Sequence, residues 1–577
     1  MPLRRGYAVL FLIFVSLGVY YPALFAEVNS VDDIHIINAF LDVEHFDLKS
    51  LFSPGGYYYR PLIGLTFVFD SIFWGMHESF MHLENILLHA FNTVLVYFIT
   101  EKVAKHYSIK SSLLPLCSAL LFAVHPINTE SVNWIAGRTD LLSGFFILLS
   151  IFLLLHSLER DSQLLGAAGV AVFFLACMSK EVAVSALPGL LAIVLSWDRD
   201  ASLSEKLRKR WVSSGSLIFT AILFSFLLLR FFLLNKGDNG GKILADTVNS
   251  QGIELLNTFR LALTALGFYA KKLFIPWPLN FAIVQISAYY ALAGIAVLVV
   301  IGFLLLKRGV VQAFFLTSIC LVAPALLVSV ARMTWTPLAE RYLYVSCALF
   351  CIAAAVALYK LLFHEESVVK QASQFSLIVL LTFITYSTVS RNIIWQNNVT
   401  LFKDTLQNSP DFYLVQNALA FSLREKGRFD ESKALLMSIK VPEGSKRGGK
   451  LIDSNQAMIL AAQGDFHGAK KLLLRNIENS GIMYQTILEN LITVDLNLLG
   501  QEKNRKKIKV LREEIAGYFH KLHEMSGDPF YYYRLGQFYL DIGSKSEAQI
   551  YFAKASVLSK EGAHYKLAAE KLAKKLK

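Results

Sequence analysis

The sequence predicts an all-α membrane protein whose last third is a soluble helical solenoid. Three observations carry this. Apolar runs of about 18 to 22 residues recur through the first two-thirds of the 577-residue chain, each long enough to cross a hydrocarbon core. Only 17% of residues are charged against 55% hydrophobic, and the mean hydropathy is +0.47, too little charge to clothe a soluble body of this size. From about Arg391 the pattern becomes polar and helical, with glycine-centred turns returning at intervals.

The net charge of +12 does not point to nucleic acid. Much of it lies in short loops between apolar runs, at Arg4 and Arg5, at Lys102, Lys105 and Lys110, at Lys206, Arg208, Lys209 and Arg210, and at Lys307 and Arg308. Cytoplasmic loops carry such an excess. The five cysteines, Cys117, Cys177, Cys320, Cys347 and Cys351, lie in or beside apolar runs and form neither a disulfide framework nor a paired metal motif. They read as small core residues. The first run, with Arg4 and Arg5 ahead of it, resembles a signal peptide, but Tyr20-Tyr21-Pro22-Ala23 lacks a small-residue cleavage site, so it reads as an anchor.

Taken in order, the first span covers about 7–25 with the N-terminus cytoplasmic. The hydrophilic loop 27–61 then faces the periplasm, or the lumen of the endoplasmic reticulum in a eukaryote. That loop is acidic (Glu27, Asp32, Asp33, Asp42, Glu44, Asp47), as suits the outer side. One crossing is expected within 62–103, then others near 112–125, 139–157, 163–178, 182–197, 212–234, 288–306, 310–330, 341–362 and 374–390. The stretch 255–279 reads as a helix lying at or dipping into the outer face, because a full crossing there would put Lys307 and Arg308 outside. This gives about eleven transmembrane helices and an exported tail.

In the tail, Gly427, Gly464, Gly500 and Gly543 fall 36 to 43 residues apart, each between two amphipathic helical stretches. This is close to the tetratricopeptide period of about 34. Such helix pairs stack into a solenoid with a concave binding face. An unrelated helical bundle is the alternative.

Two adjacent carboxylates, Asp32 and Asp33, open the outer loop. They either cap a loop helix beginning near Ile34 or bind and react, since charge at the mouth of a membrane domain is costly. Company on the same side favours chemistry: Arg60 after Tyr57-Tyr58-Tyr59; His125, Glu130, Arg138 and Asp140 within one outer loop; Lys180-Glu181; and Glu340-Arg341. Several cations there can hold a phosphate. Arg138 and Asp140 can equally pair with each other, and Lys271-Lys272 read as interfacial anchors. His82, Asn85, His89 and Asn92 lie on one face of a helix, bordering a substrate cavity or a metal, or hydrogen-bonding between helices.

The order of these motifs, Asp32-Asp33, Tyr-Tyr-Arg60-Pro-Leu, His82-x-x-Asn85-x-x-x-His89, His125-Pro-Ile-Asn-Thr-Glu130 with Gly137-Arg138-x-Asp140, Ser-Lys180-Glu181, Ala-Glu340-Arg341-Tyr, then helical repeats, resembles the transmembrane and tetratricopeptide-repeat-containing O-mannosyltransferases and their bacterial relatives. The resemblance covers nearly the whole chain, and the His125–Asp140 stretch is its most specific part. It implies a polytopic GT-C glycosyltransferase domain over 1–392, with the catalytic outer loop 27–61, and a periplasmic tetratricopeptide-repeat domain over 393–577. The tail holds about four imperfect repeats where the animal proteins have more, which implies a bacterial inner-membrane member, or lumenal repeats if the source is eukaryotic.

The resemblance further implies a sugar donor on polyprenyl or dolichyl phosphate, mannose being the preferred sugar, and inversion at the anomeric carbon. Asp32 takes the role of base and Asp33 an orienting role. Arg138, Arg341, Lys180 and Arg60 are the candidates for the donor phosphate. Glu340, Glu130 and Asp140 are read as holding those cations, with His125, Glu181 and His89 as supporting residues. No nucleotide-sugar site is visible and no ligand set has metal spacing, so a divalent metal is left open. The acceptor is read as Ser/Thr hydroxyls of exported protein, bound through the repeats. Two alternatives stand beside it: the same chemistry on a glycan or lipid, and a non-catalytic membrane scaffold or transporter. A transporter more often shows internally repeated, broken spans, which this sequence lacks.

Overall fold

The computed structural model describes residues 5–40, 59–197, 255–307, 309–331, 336–359, 367–440, 448–477, 484–559, 563 and 565–577, with parts of 216–225. Most of the expected span 212–234, the basic residues Lys206, Arg208, Lys209, Arg210 and Arg308, the acidic residues Asp42, Glu44 and Asp47, and Tyr57-Tyr58 lie outside the described residues. Among those described, the named elements are all helical, with a single isolated bridge between Ile283 and Leu338. The chain divides into two compact units, Met1–Ile36 with Phe52–Leu401 and Ile37–Leu51 with Phe402–Lys577, so that the helix Asp33–Phe40 is shared between them.

The first unit runs through α1 (Arg5–Tyr20), α2 (Asp33–Phe40), α3 (Pro61–Trp74), α4 (Glu78–His106), α5 (Leu113–Ala123), the short α6 (Thr129–Asn133), α7 (Arg138–Arg160), α8 (Gln163–Ser179) and α9 (Leu187–Ser196). It continues with α10 (Leu255–Phe274), α11 (Tyr290–Leu306), α12 (Val310–Cys320), α13 (Ala323–Ala331), α14 (Tyr344–Ala357) and α15 (Ser367–Trp395). Large apolar side chains point outward on α1 (Leu10, Phe14) and α15 (Phe375, Ile378, Phe383), whereas Asn85, Asn92, Ser118, Ser318 and Ser346 are buried. A hydrocarbon solvent favours that arrangement, because polar groups then find partners only between helices.

Among the described residues, six helices are long and apolar enough to cross a membrane, or seven if α5 and the segment Pro126–Asn133, bent by 46°, count as one span. The runs Gln163–Ser179, Glu181–Ser196 and Tyr290–Leu306 are apolar but shorter. A 17-residue helix is about 26 Å long, slightly under a hydrocarbon core of about 30 Å. That shortfall, with most of 212–234 outside the described residues, separates this count from the expected eleven. α10, the ambiguous stretch of the sequence, is a twenty-residue helix and is not among the six.

The second unit is a succession of helix hairpins. After α16 (Asn398–Asn408) come α17 (Tyr413–Glu425) with α18 (Phe429–Ser438), α19 (Gly448–Ala462) with α20 (Phe466–Ile477), α21 (Tyr484–Gln501) with α22 (Arg505–Ser526), and α23 (Phe530–Asp541) with α24 (Lys545–Leu558), then α25 (Lys566–Lys575). Gly427, Gly464 and Gly543 turn three of these hairpins with φ of 73°, 88° and 79°, a region open to glycine at little cost. Gly500 differs from its expected role. It lies inside the last turn of α21, and the reversal follows at 502–504, where the Asn504 side chain caps α22 through the Lys506 and Lys507 amides. Ala457, Leu473, Ile487, Leu491, Phe519 and Leu535 form a continuous core across successive hairpins.

Candidate catalytic site

The segment after α1 is tied down from the far end of the unit. The Glu27 amide donates to Gln396 O at 3.0 Å, Gln396 Nε2 to Pro22 O at 2.7 Å, and Asn398 Nδ2 to Val28 O at 2.8 Å. The Ser30 amide donates in turn to Asn398 Oδ1 at 3.4 Å. Asn29, between these anchors, closes a turn by accepting from the Val31 amide, and its own amide donates to Asp33 Oδ2 at 3.2 Å. Asp33 Oδ1 accepts from the Ala136 amide at 2.9 Å. The two adjacent carboxylates therefore part company: Asp33 is fully buried and Asp32 is exposed. Burial pushes the Asp33 carboxyl up to about 7, the Asn29 and Ala136 amides restrain the rise, and the charge of Asp32 adds to it. Asp33 begins α2, but both its oxygens are spent on Asn29 and Ala136, so it fastens the loop to the segment 134–138.

That segment is tightly folded. His125 Nδ1 accepts from the Ile127 amide and starts a short helical turn at Pro126–Asn128. At Gly137 a β-carbon would stand 2.4 Å from Ser131 O, so no other residue fits. Glu130, buried, takes Arg341 Nη1 at 2.5 Å on one oxygen and the Arg341 amide at 3.0 Å on the other. The guanidinium lies 4.8 Å over the Trp134 ring and 5.0 Å over Tyr342. Its Nε and Nη2 make no hydrogen bond among the described residues.

Two more cations gather beside Tyr342. Lys180 Nζ meets Asp140 at 2.5 Å and sits 5.7 Å over the Tyr342 ring, within electrostatic reach of Arg60 and Arg341. Arg60 grips Glu181 with two parallel bonds of 2.8 and 2.5 Å. Arg60, Lys180 and Arg341 thus come together, each on a carboxylate. A narrow apolar crevice bordered by Val182, Leu321, Pro324 and Val328 opens onto Lys180, Asp140 and Tyr342.

The other candidates fall elsewhere. Arg138 does not pair with Asp140, because residues two apart on a helix face different ways. It is fully buried and bonded to Asp70 (2.5 Å), Glu84 (3.1 Å), Asn85 Oδ1 (3.2 Å) and Met81 O (3.1 Å). Glu340 holds Lys272 at 2.5 Å, with the Asn280 amide on the same oxygen. Lys272 is buried, not an interfacial anchor, and also donates to Pro276 O. The one hint in the sequence was an acid beside Arg341 with no cation of its own. His89 lies between helices: Nε2 meets Ala123 O at 3.0 Å and therefore carries the proton, leaving Nδ1 to accept from the Tyr344 hydroxyl at 2.9 Å. Asn92 donates to that same hydroxyl and to Leu141 O, and Asn85 to Trp134 O. Three members of the polar stripe on α4, Asn85, His89 and Asn92, thus form interhelical hydrogen bonds that hold the 123–141 segment. Among the described residues, no group of three or more His, Cys, Asp or Glu is placed to hold a metal.

No family model matches the chain. It is 38% identical over 102 residues to protein O-mannosyl-transferase TMTC1 of Homo sapiens, covering 18% of this chain and 11% of the relative. It is 26% identical over 384 residues to protein O-mannosyl-transferase F38B6.6 of Caenorhabditis elegans, covering 64% and 51%. With TMTC3 of Mus musculus it shares 25% over 410 residues, covering 65% and 43%. The alignments span about half the length of these relatives at most. The curated homologues of this chain are the protein O-mannosyl-transferases of the TMTC family.

Proposed function

We propose that the chain is an integral-membrane, inverting GT-C glycosyltransferase that moves mannose from a polyprenyl-phosphate donor to Ser/Thr hydroxyls of exported protein. The observation that carries this reading is the link between the acidic loop and the cations: Asp33 is bonded to Ala136, two residues from the Trp134 ring on which Arg341 lies. One short rigid segment therefore relates the exposed Asp32 to the cationic group. In this reading Asp32 takes the proton from the attacking hydroxyl, and Asp33 fixes the direction in which Asp32 points. Arg341 offers its unspent edge to the leaving phosphate, with Lys180 and Arg60 beside it. Arg138, saturated by its own partners, positions α3, α4 and α7. The lipid tail runs in the crevice beside Lys180.

About eleven crossings, with the repeats on the outer side, put these groups where exported protein passes. The membrane is the bacterial inner membrane, or that of the endoplasmic reticulum in a eukaryote. The helix hairpins of the second unit form a tetratricopeptide solenoid that holds the acceptor.

The test is transfer of radiolabelled mannose from a polyprenyl-phosphate donor by the purified full chain in detergent, with host membranes as acceptor, with and without EDTA. Label is expected in protein, reduced at least ~100-fold by Asp32→Asn, and the EDTA arm reads whether a divalent metal takes part. Equal labelling by a folded Asp32→Asn protein overturns the assignment of the base, and label in lipid or glycan overturns the acceptor.

A further inference from the structure

In the second unit, the first helices of successive hairpins, α17, α19 and α21, pack directly on one another. A side-chain hydrogen bond joins each first helix to the next. Asn455 Nδ2 donates to Asn417 Oδ1 at 2.7 Å, and Asn490 Nδ2 to Ser454 Oγ at 2.7 Å. The Tyr531 hydroxyl of α23 bonds Glu489 Oε1 at 2.9 Å and accepts from Gln485 Nε2 at 2.8 Å. The paired residues are 38, 36 and 42 positions apart, one hairpin each time.

From these rungs we infer that α17, α19, α21 and α23 form a hydrogen-bonding ladder that binds an extended polypeptide through its main chain. The inference rests on the reading that the repeats hold the acceptor, and says how they do so.

The rungs are only partly spent. Asn455 and Asn490 are half-buried and Gln485 is exposed. The amide oxygens of all three make no hydrogen bond among the described residues. A side-chain amide offers a carbonyl and an N–H in the same plane, as a peptide group does, and so matches it in both directions. Spacing agrees with an extended ligand. Packed helices lie about 8–10 Å apart, and an extended chain advances about 3.3 Å per residue. One rung therefore meets roughly every third residue of the ligand. Neutral amides read the backbone and leave side chains unselected, as suits an acceptor site serving many sequences. Charge narrows the choice: residues 402–577 carry 28 Lys and Arg against 20 Asp and Glu, which favours neutral or acidic segments over basic ones.

The test is fluorescence anisotropy on the full chain in detergent, with no sugar donor present. The probe is a labelled 20-residue Ser/Thr/Asp-rich peptide, compared with the same peptide N-methylated at every third backbone amide. The peptide is expected to bind at least tenfold more weakly to Asn455→Ala/Asn490→Ala, and N-methylation to cost as much. The N-methylated peptide should be nearly indifferent to the substitutions. Gln485→Ala, at an exposed site, serves as a second variant if the double one melts early, and should weaken binding about threefold. Unchanged affinity in variants of normal melting temperature overturns the ladder, as does full binding of the N-methylated peptide or its displacement by soluble mannan. Asp32→Asn should bind the peptide as the unsubstituted chain does, so a failed transferase assay leaves this result standing.

Discussion

The ion pairs of the two units are built on different plans. In the membrane unit the pairs withdrawn from water join distant segments: Arg341 with Glu130, Arg60 with Glu181, Lys272 with Glu340 and Lys180 with Asp140 are 211, 121, 68 and 40 residues apart, and their side chains are buried or partly buried. In the second unit Arg424 meets its neighbour Glu425, Arg428 meets Glu431 and Lys509 meets Glu513, all on helix surfaces. Lys470 is the exception, gathering Asp495 and Glu514 from two other helices. Water makes a surface charge nearly free, so the second unit carries many charges that do little. Where water is excluded, a charge survives only with a partner, and each pair then fixes which segments meet.

The largest effect should follow from breaking the most buried pair. Arg138→Met leaves Asp70 and Glu84 facing each other without a cation, and should cost about 3–5 kcal/mol. Thermal unfolding in detergent measures it, and a loss under about 1 kcal/mol would place Arg138 among the dispensable charges. Arg138→Met/Asp70→Leu should recover part of the loss.

Lys470→Met asks whether the exception in the second unit behaves like a membrane pair. It strands Asp495, whose carboxyl burial has already pushed up to about 6, and should cost roughly 1–3 kcal/mol. A melting curve identical to that of the unsubstituted chain would return this triad to the surface class.

A third effect is a pH dependence. The folded state holds the Asp33 proton more tightly than the unfolded chain does, since the carboxyl sits at about 7 against an ordinary value near 4. Its stabilising contribution is complete below about pH 4 and is lost as pH rises towards 7. Asp33→Asn should flatten that part of the stability profile, and a slope that persists in the variant would assign it to another group. The smallest effect is expected from Arg428→Ala on the second unit's surface: no change in melting temperature beyond error, with any clear shift showing that this surface pair has a structural role.

What the sequence made legible follows the same division. Helical class and apolar runs are local properties, and they can be read without knowing what packs where. Gly427, Gly464 and Gly543 were legible because a left-handed turn needs glycine, whereas Gly500 misled because Asn504 performs the capping instead. Pairing was harder. Arg138 and Asp140 invite each other on paper, yet two residues of helix send them to Asp70 and Lys180. Lys272 looked like an anchor because its partner Glu340 lies 68 positions away. The split between Asp32 and Asp33 was beyond reach, since the choice is made by backbone amides at Asn29 and Ala136.

The fastening of residues 22–30 by Gln396 and Asn398 has a consequence in time. During synthesis the acidic loop emerges more than 350 residues before the groups that seat it. Until the last apolar run has been inserted, residues 22–30 lack the anchors that Gln396 and Asn398 supply. On the proposed function, an unfinished chain is therefore silent until the membrane unit closes on itself.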